Sequence, residues 1–302
     1  MQFLSLIFFC VLAEVQAAQL STTYQYPNGT WLENIATMRN GSLLVTVIGQ
    51  AEIYMINPTI SPATSHLIAT LPEHNAALGI TELAHDRFAV AVGNVTASNV
   101  PIAGTWGVWS LDTSSECGAA RIEKILDVKN VGMINGIAAL NSHTLLLADS
   151  WNGTIVRLDT RTHKSDILFD HPSLNPDFSL PLPLGVNGLR FHPQTSHLYY
   201  TNTAQNILAT VKINKHTFHP TGPVEIIAEG KGISQPDDFA VASDGSVFLA
   251  RPLGDTIQHV YLNGTVEEVS KGGLASGVTS VVFARGEAER EMWVSESGLE
   301  GG

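Results

Sequence analysis

An all-β, six-bladed β-propeller is the fold predicted by this 302-residue sequence. Three observations predict it: short apolar runs bounded by turn residues, a repeating unit of about 50 residues, and no long amphipathic helical stretch. The runs include Leu43–Val47, Ile53–Ile56, Phe88–Val92, Thr154–Leu158 and Ser246–Ala250, with Gly, Asn, Ser, Thr or Pro around each. One unit opens at Asn135-Gly136-Ile137, continues through Thr144–Asp149 and ends in Ile155–Asp159. The next opens at Asn187-Gly188-Leu189 and a third at Asp237, so the openings lie 52 and 50 residues apart. Fainter copies begin at Glu33-Asn34-Ile35, near Gly79-Ile80 and at Thr279-Ser280-Val281, which makes six. Three or four strands at this period are propeller blades; a doubly wound fold needs helices between its strands. The longest stretch without pattern is His171 to Gly185, with Pro172, Pro176, Pro181 and Pro183. It reads either as a surface connection or as a flap beside the channel mouth.

The apolar run Phe3–Leu12 is too short to span a bilayer, and Val15-Gln16-Ala17 supplies small residues at a cleavage position. Residues 1–17 are therefore expected to be a signal peptide, with 18–302 a single propeller domain and the secretory pathway as destination. No later run reaches membrane-spanning length. Cys10 leaves with the leader, so Cys117 stands alone in a polar turn and no intrachain disulfide is expected. Sequons at Asn28, Asn40, Asn94, Asn152 and Asn263 are candidate glycosylation sites in such a route. The net charge of −12, with only 15% charged residues, excludes the basic clusters that nucleic acid or anionic membrane binding requires.

In a propeller the innermost strand of each blade lines the central channel, so residues at its start meet around one axis. Glu33, Asn135, Asn187 and Asp237 hold those places. All four carry side-chain oxygens and none is His or Cys, a donor set suited to Ca²⁺ or another hard divalent cation. Asn-Gly is also a tight turn, which is the reading for Asn28-Gly29, Asn40-Gly41, Asn152-Gly153 and Asn263-Gly264. Asn135 and Asn187 differ, because each follows an apolar residue and leads into a strand. No Gly-x-Ser-x-Gly elbow, His-Glu-x-x-His, Walker loop or dinucleotide fingerprint occurs, so no nucleotide cofactor is expected. His74, His85, His192 and His197 read as surface or satisfied core residues.

The four axial residues, in this order and with nothing from the second blade, resemble the senescence-marker-protein/gluconolactonase (regucalcin-like) propellers. Those carry a Glu, an Asn, an Asn-Gly and the Asp of a Pro-Asp-Gly. Here Gln235-Pro236-Asp237-Asp238 replaces the Gly with Asp238, adding a charge beside the site. Trp31–Ala36, Asn40–Thr46, Leu184–Leu189 and Tyr199–Thr203 resemble the fungal branch, which includes the hetero-Diels–Alderases of tropolone sesquiterpenoid pathways. That resemblance implies a biosynthetic enzyme joining a polyketide-derived quinone methide to a humulene-type terpene at the channel mouth. Two other functions stay open. In one, a calcium-dependent lactonase or esterase uses Asn187 and either Asp237 or Asp238, one of the two carboxylates activating water. In the other, a non-catalytic propeller binds a ligand. The expected partner is accordingly a small apolar or lactone-type molecule.

Overall fold

The computed structural model describes residues 6–13, 16–114, 120–285 and 291–298; Cys117 lies outside them. The chain starts with β1 (Leu6–Ala13) and β2 (Gln16–Gln25). The first complete unit is β3 (Trp31–Thr37), β4 (Leu43–Ile48), β5 (Glu52–Asn57) and β6 (Thr64–Thr70). The second is β7 (Ala76–Ala84), β8 (Arg87–Gly93), β9 (Gly107–Asp112) and β10 (Arg121–Asp127). The third is β11 (Ile134–Asn141), β12 (Thr144–Asp149), β13 (Thr154–Asp159) and β14 (Lys164–Asp170). The fourth is β15 (Val186–His192), β16 (His197–Asn202), β17 (Ile207–Ile213) and β18 (Pro220–Glu229). The fifth is β19 (Phe239–Val241), β20 (Val247–Arg251), β21 (Thr256–Val260) and β22 (Val266–Lys271). Finally β23 (Val278–Phe283) and β24 (Glu291–Glu296) pair with the start of the chain in the order β2-β1-β24-β23. All pairings are antiparallel meanders, and one bridge from Ile48 to Ala76 fuses the first two units along a common sheet.

Side-chain alternation makes these units into a ring. In β12, Leu145 and Leu147 face the second unit, while Leu146 and Ala148 face the fourth. In β4, Leu43, Val45 and Val47 face the sixth unit and Leu44 the second. Six apolar clusters fill the six gaps between neighbouring units, and the cluster of Leu32, Ile35 and Trp293 closes the last against the first. A strand covered on both faces reads as a continuous apolar run. That is why β4, β12 and β20 are almost wholly buried, whereas the outermost β10, β14 and β22 are charged and exposed. The Asn-Gly pairs expected to be turns are turns: Gly29, Gly41, Gly153 and Gly264 have φ between 70° and 85°. Four of the five sequon asparagines are exposed, and Asn94 is half-buried.

At several junctions hydroxyl groups tie one unit to the backbone of the next near the axis. Thr46 Oγ1 donates to the Leu78 carbonyl at 2.7 Å, Thr201 to that of Asp237 at 2.7 Å, and Thr203 to that of Pro236 at 2.8 Å. Thr279 closes the circle by donating to Leu32 at 2.7 Å. Inner strands also approach one another so closely that Gly is required. A Cβ on Gly136 would lie 2.9 Å from the Leu189 nitrogen, and one on Gly188 would lie 3.0 Å from the Asp237 carbonyl oxygen. Gly136→Ala therefore forces backbone apart and is expected to lower stability by about 1–3 kcal/mol. Gly232→Ala, with open space at its Cβ, should change it by less than about 0.5 kcal/mol. Urea denaturation of the two variants makes the comparison.

Candidate functional site

Five inner strands break their ladder at the axial position. The register shifts between Leu32 and Asn34, Ala77 and Ile80, Ile134 and Ile137, Val186 and Leu189, and Val278 and Ser280. A bulge re-aims the side chain it carries, and these bulges hold Glu33, Leu78, Asn135, Asn187 and Thr279. In the fifth unit Asp237 and Asp238 occupy the corresponding place just before β19. The ring thus has two layers: Glu33, Leu78, Asn135, Asn187, Asp237 and Thr279, then Asn34, Gly79, Gly136, Gly188, Asp238 and Ser280.

Glu33 is 7% exposed, and its Oε2 accepts from Trp31 Nε1 at 2.8 Å. Burial pushes its carboxyl up to about 7; the Trp31 bond opposes this and the Asp238 charge adds to it. Asp237 keeps some exposure at the mouth. Desolvation raises its carboxyl well above the ordinary range, the charges of Glu33 and Asp238 raise it further, and the Asn187 amide pulls it back. Asn187 also donates to Thr203 Oγ1 at 2.9 Å, which sets its orientation. Glu33, Asn187, Asp237 and Asp238 therefore form one electrostatic group. Asn135 is buried at the matching place in β11, and its carbonyl lies against Gly79.

Asp238, 2% exposed, is the knot of the lower layer. Its Oδ2 accepts from Asn34 Nδ2 at 2.8 Å, from Ser280 Oγ at 2.8 Å and from Arg190 Nη2. These donors come from the first, sixth and fourth units. Oδ1 has no hydrogen-bond partner and faces Gly188. With one oxygen filled by three donors and the other against a glycine, Asp238 is placed to bind the ring together; of the two aspartates, Asp237 is the one open to the mouth. Asn34, Arg190 and Ser280 escaped the sequence reading. Arg190 had one visible signal, a cation in an inner strand whose neighbours Leu189 and Phe191 are apolar.

The donor set fits a hard divalent cation by its chemistry: two carboxylates and two amides, with acids whose mutual repulsion a cation would relieve. Among the described residues, no group of three or more His, Cys, Asp or Glu gathers as a metal site, so Asn135 and Asn187 would have to complete it. Of the histidines expected to be surface or satisfied core residues, His74 departs from that reading, since its Nδ1 is buried without a hydrogen-bond partner. His192 Nδ1 pairs with Thr195 Oγ1 at 2.9 Å, and the half-buried His74 packs edge-on to Trp109. Asp149 was also missed. It is buried, and it caps the Gly132 and Met133 amides at 3.1 Å, setting the approach to Asn135.

The fold and this ring define a β-propeller with a polar axial site, and comparison with known proteins agrees on the fold. Residues 183–298 match the family described as SMP-30/Gluconolactonase/LRE-like region. The chain is 26% identical to a Sarocladium schorii protein named as a hetero-Diels-Alderase, asR5, over 89% of this chain and 75% of that one. It is equally similar, at 26%, to a protein of Phoma sp named as a hetero-Diels-Alderase, over 89% of this chain and 84% of the relative. Among solved structures it resembles the calcium-binding protein regucalcin of Agrobacterium tumefaciens, with a TM-score of 0.59 and 16% identity over 90% of this chain and 92% of that one. That likeness concerns the fold.

Two outcomes follow from the axial charges. Arg190→Leu leaves the Asp238 carboxylate buried without its cation and should cost roughly 3 kcal/mol, read by urea denaturation. Glu33, whose folded value of about 7 exceeds the ordinary 4.5, holds a proton that the unfolded chain has released. Stability should therefore decline as pH rises between those two values. Asp237 contributes in the same direction, so Glu33→Gln should flatten the slope of melting temperature against pH without abolishing it, in metal-free buffer.

Proposed function

We propose that this chain is a secondary-metabolite enzyme of the hetero-Diels–Alderase type, joining a polyketide-derived quinone methide to a humulene-type terpene at the channel mouth. The observation that carries the reading is similarity over 89% of the chain to two proteins named as hetero-Diels-Alderases. The site supports it. In the cycloaddition the quinone-methide oxygen and its exocyclic carbon add across one alkene, so two σ bonds form and no proton is consumed. No nucleophile is required, only two partners held in reactive orientation and a donor that polarises the oxygen. A carboxyl pushed up to about 7, such as Glu33, retains a proton near neutrality and can donate it in a hydrogen bond. Asp237 offers a second such carboxyl at the mouth.

The second reading, a metal-dependent lactonase, is favoured by the gluconolactonase-like region over residues 183–298. Glu33, Asn135, Asn187 and Asp237 would hold the cation, which when bound supplies a Lewis acid for a carbonyl. Asp237 would then accept a proton from water. The two readings part cleanly. The purified protein, given a quinone-methide precursor and α-humulene, is expected to form cycloadduct faster than buffer does, and Glu33→Leu, which removes the donor, should lower the rate at least ~10-fold. Hydrolysis of a lactone that chelation abolishes, with no cycloadduct, would establish the second reading instead.

The proposed route is secretory, with the leader removed after Ala17. In the folded chain residues 6–13 form β1, between β2 and β24, so that processing would take one strand from the last unit. Intact-mass measurement of the secreted protein is expected to give a chain starting at Ala18; retention of residues 1–17 would end this part of the proposal.

A further inference from the structure

Connections into the inner strands and those from second to third strands open on one face, the face from which the axial ring is reached. Large apolar side chains stand exposed there: Val100 and Ile102 between β8 and β9, Phe178 and Leu180 between β14 and β15, and Leu253 between β20 and β21. Phe178 is the most informative, because the segment that carries it is held in place. The base of this segment is pinned: Asn202 Nδ2 donates to the Ser173 and Asn175 carbonyls, both at 2.9 Å. Ser173 Oγ meets Tyr200 Oη at 2.6 Å, and the Gly185 amide donates to Ser150 at 2.8 Å. Its tip is closed too. The Asp177 amide donates to the Pro183 carbonyl at 3.1 Å, and Ser179 Oγ donates to Asp177 Oδ1 at 2.6 Å. Phe178 nonetheless stays 61% exposed and Leu180 40% exposed.

The ring of Phe178 meets the edge of Trp151 with centroids 5.1 Å apart at 72°. Trp151 in turn lies on Gly132, where a Cβ would come within 2.5 Å of its own. Gly132 stands three residues before Asn135, and Gly185 two before Asn187. The aromatic pair thus stands at the third and fourth units, whose inner strands carry the two axial amides. The charged groups Glu33, Asp237, Asp238 and Arg190 centre on the fifth and first units across the ring. A mouth with an aromatic pair on one side and acids on the other suits two partners of different chemistry. An exposed, preorganised aromatic ledge beside a site is a binding surface for apolar ligands.

We propose that Trp151 and Phe178, with Leu180, seat a neutral cyclic hydrocarbon at the channel mouth, leaving the acidic side to an oxygen-bearing partner. This inference rests on the two-substrate reading above and names the residues that select its hydrocarbon. Occupancy brings the ligand's alkene over the ring and shields both from water.

The test uses the full chain and the neutral fluorophore N-phenyl-1-naphthylamine, whose emission rises in apolar surroundings. The probe is expected to bind with energy transfer from tryptophan, and α-humulene should displace it. Phe178→Asp and Leu180→Asp, both on exposed positions and so expected to keep the melting temperature, should each weaken the probe at least ~10-fold, as loss of an apolar anchor does. Glu33→Gln should leave probe affinity unchanged. Unchanged affinity in both aspartate variants, or no displacement by α-humulene, overturns the seat. Cycloadduct formed at the wild-type rate by Phe178→Asp also overturns it while leaving the catalytic reading intact. Hydrocarbon binding lost in that variant, in a protein that forms no cycloadduct, keeps the seat and removes the catalytic reading.

Discussion

A propeller has to bring six strands to one axis, where there is little room and no water to spare, and here the axis is tied at a single carboxylate oxygen. Asp238 Oδ2 gathers an amide from the first unit, a guanidinium from the fourth and a hydroxyl from the sixth. Burying a carboxylate is costly unless its charge is met by donors, and three units supply them together. The carboxylate therefore acts as a keystone: each donor is worth most when the others are in place. Glycine makes the arrangement possible on the adjoining strands, since Gly188 lies directly against the other Asp238 oxygen.

The same buried charge shapes the upper layer. Glu33 and Asp237 stand above an anion in a desolvated ring, and both carboxyls are raised by burial first and by their neighbours' charge second. Such groups hold protons near neutrality or else attract a cation; both forms can polarise an oxygen, one by donating a hydrogen bond and the other as a Lewis acid. The site is thus electrostatic in character. On the opposite side of the mouth the environment changes to aromatic edges and aliphatic carbon. That contrast arises because connections of different length rise over different units: the third unit delivers both Trp151 and the segment with Phe178, whereas the fifth delivers acids.

Much of this was legible in the chain. The period of 50 to 52 residues and the alternation within each run are local properties, because every unit solves the same packing problem against a neighbour on either side. The context of Asn135 and Asn187, apolar before and strand after, separated them from the Asn-Gly turns, whose glycines do adopt positive φ. Asn34, Arg190 and Ser280 were not legible. Nothing in their local sequence says that three residues 90 to 246 positions apart share one acceptor; that is a property of ring closure. Asp238 was visible as a departure from the Pro-Asp-Gly pattern, yet its partners, and hence its part in holding the axis, were not.

By itself, then, the sequence determined what repeats: strand alternation, unit length and the oxygen-bearing residue at the head of four units. The repeating features depend on neighbours a few residues away. Only the tertiary structure decided which residues meet across the axis, which acid faces the mouth, and where aromatic surface stands beside it. Bulges in the inner strands aim the axial side chains, and the closed ring brings units distant in sequence to one oxygen. Neither is a property of any single segment.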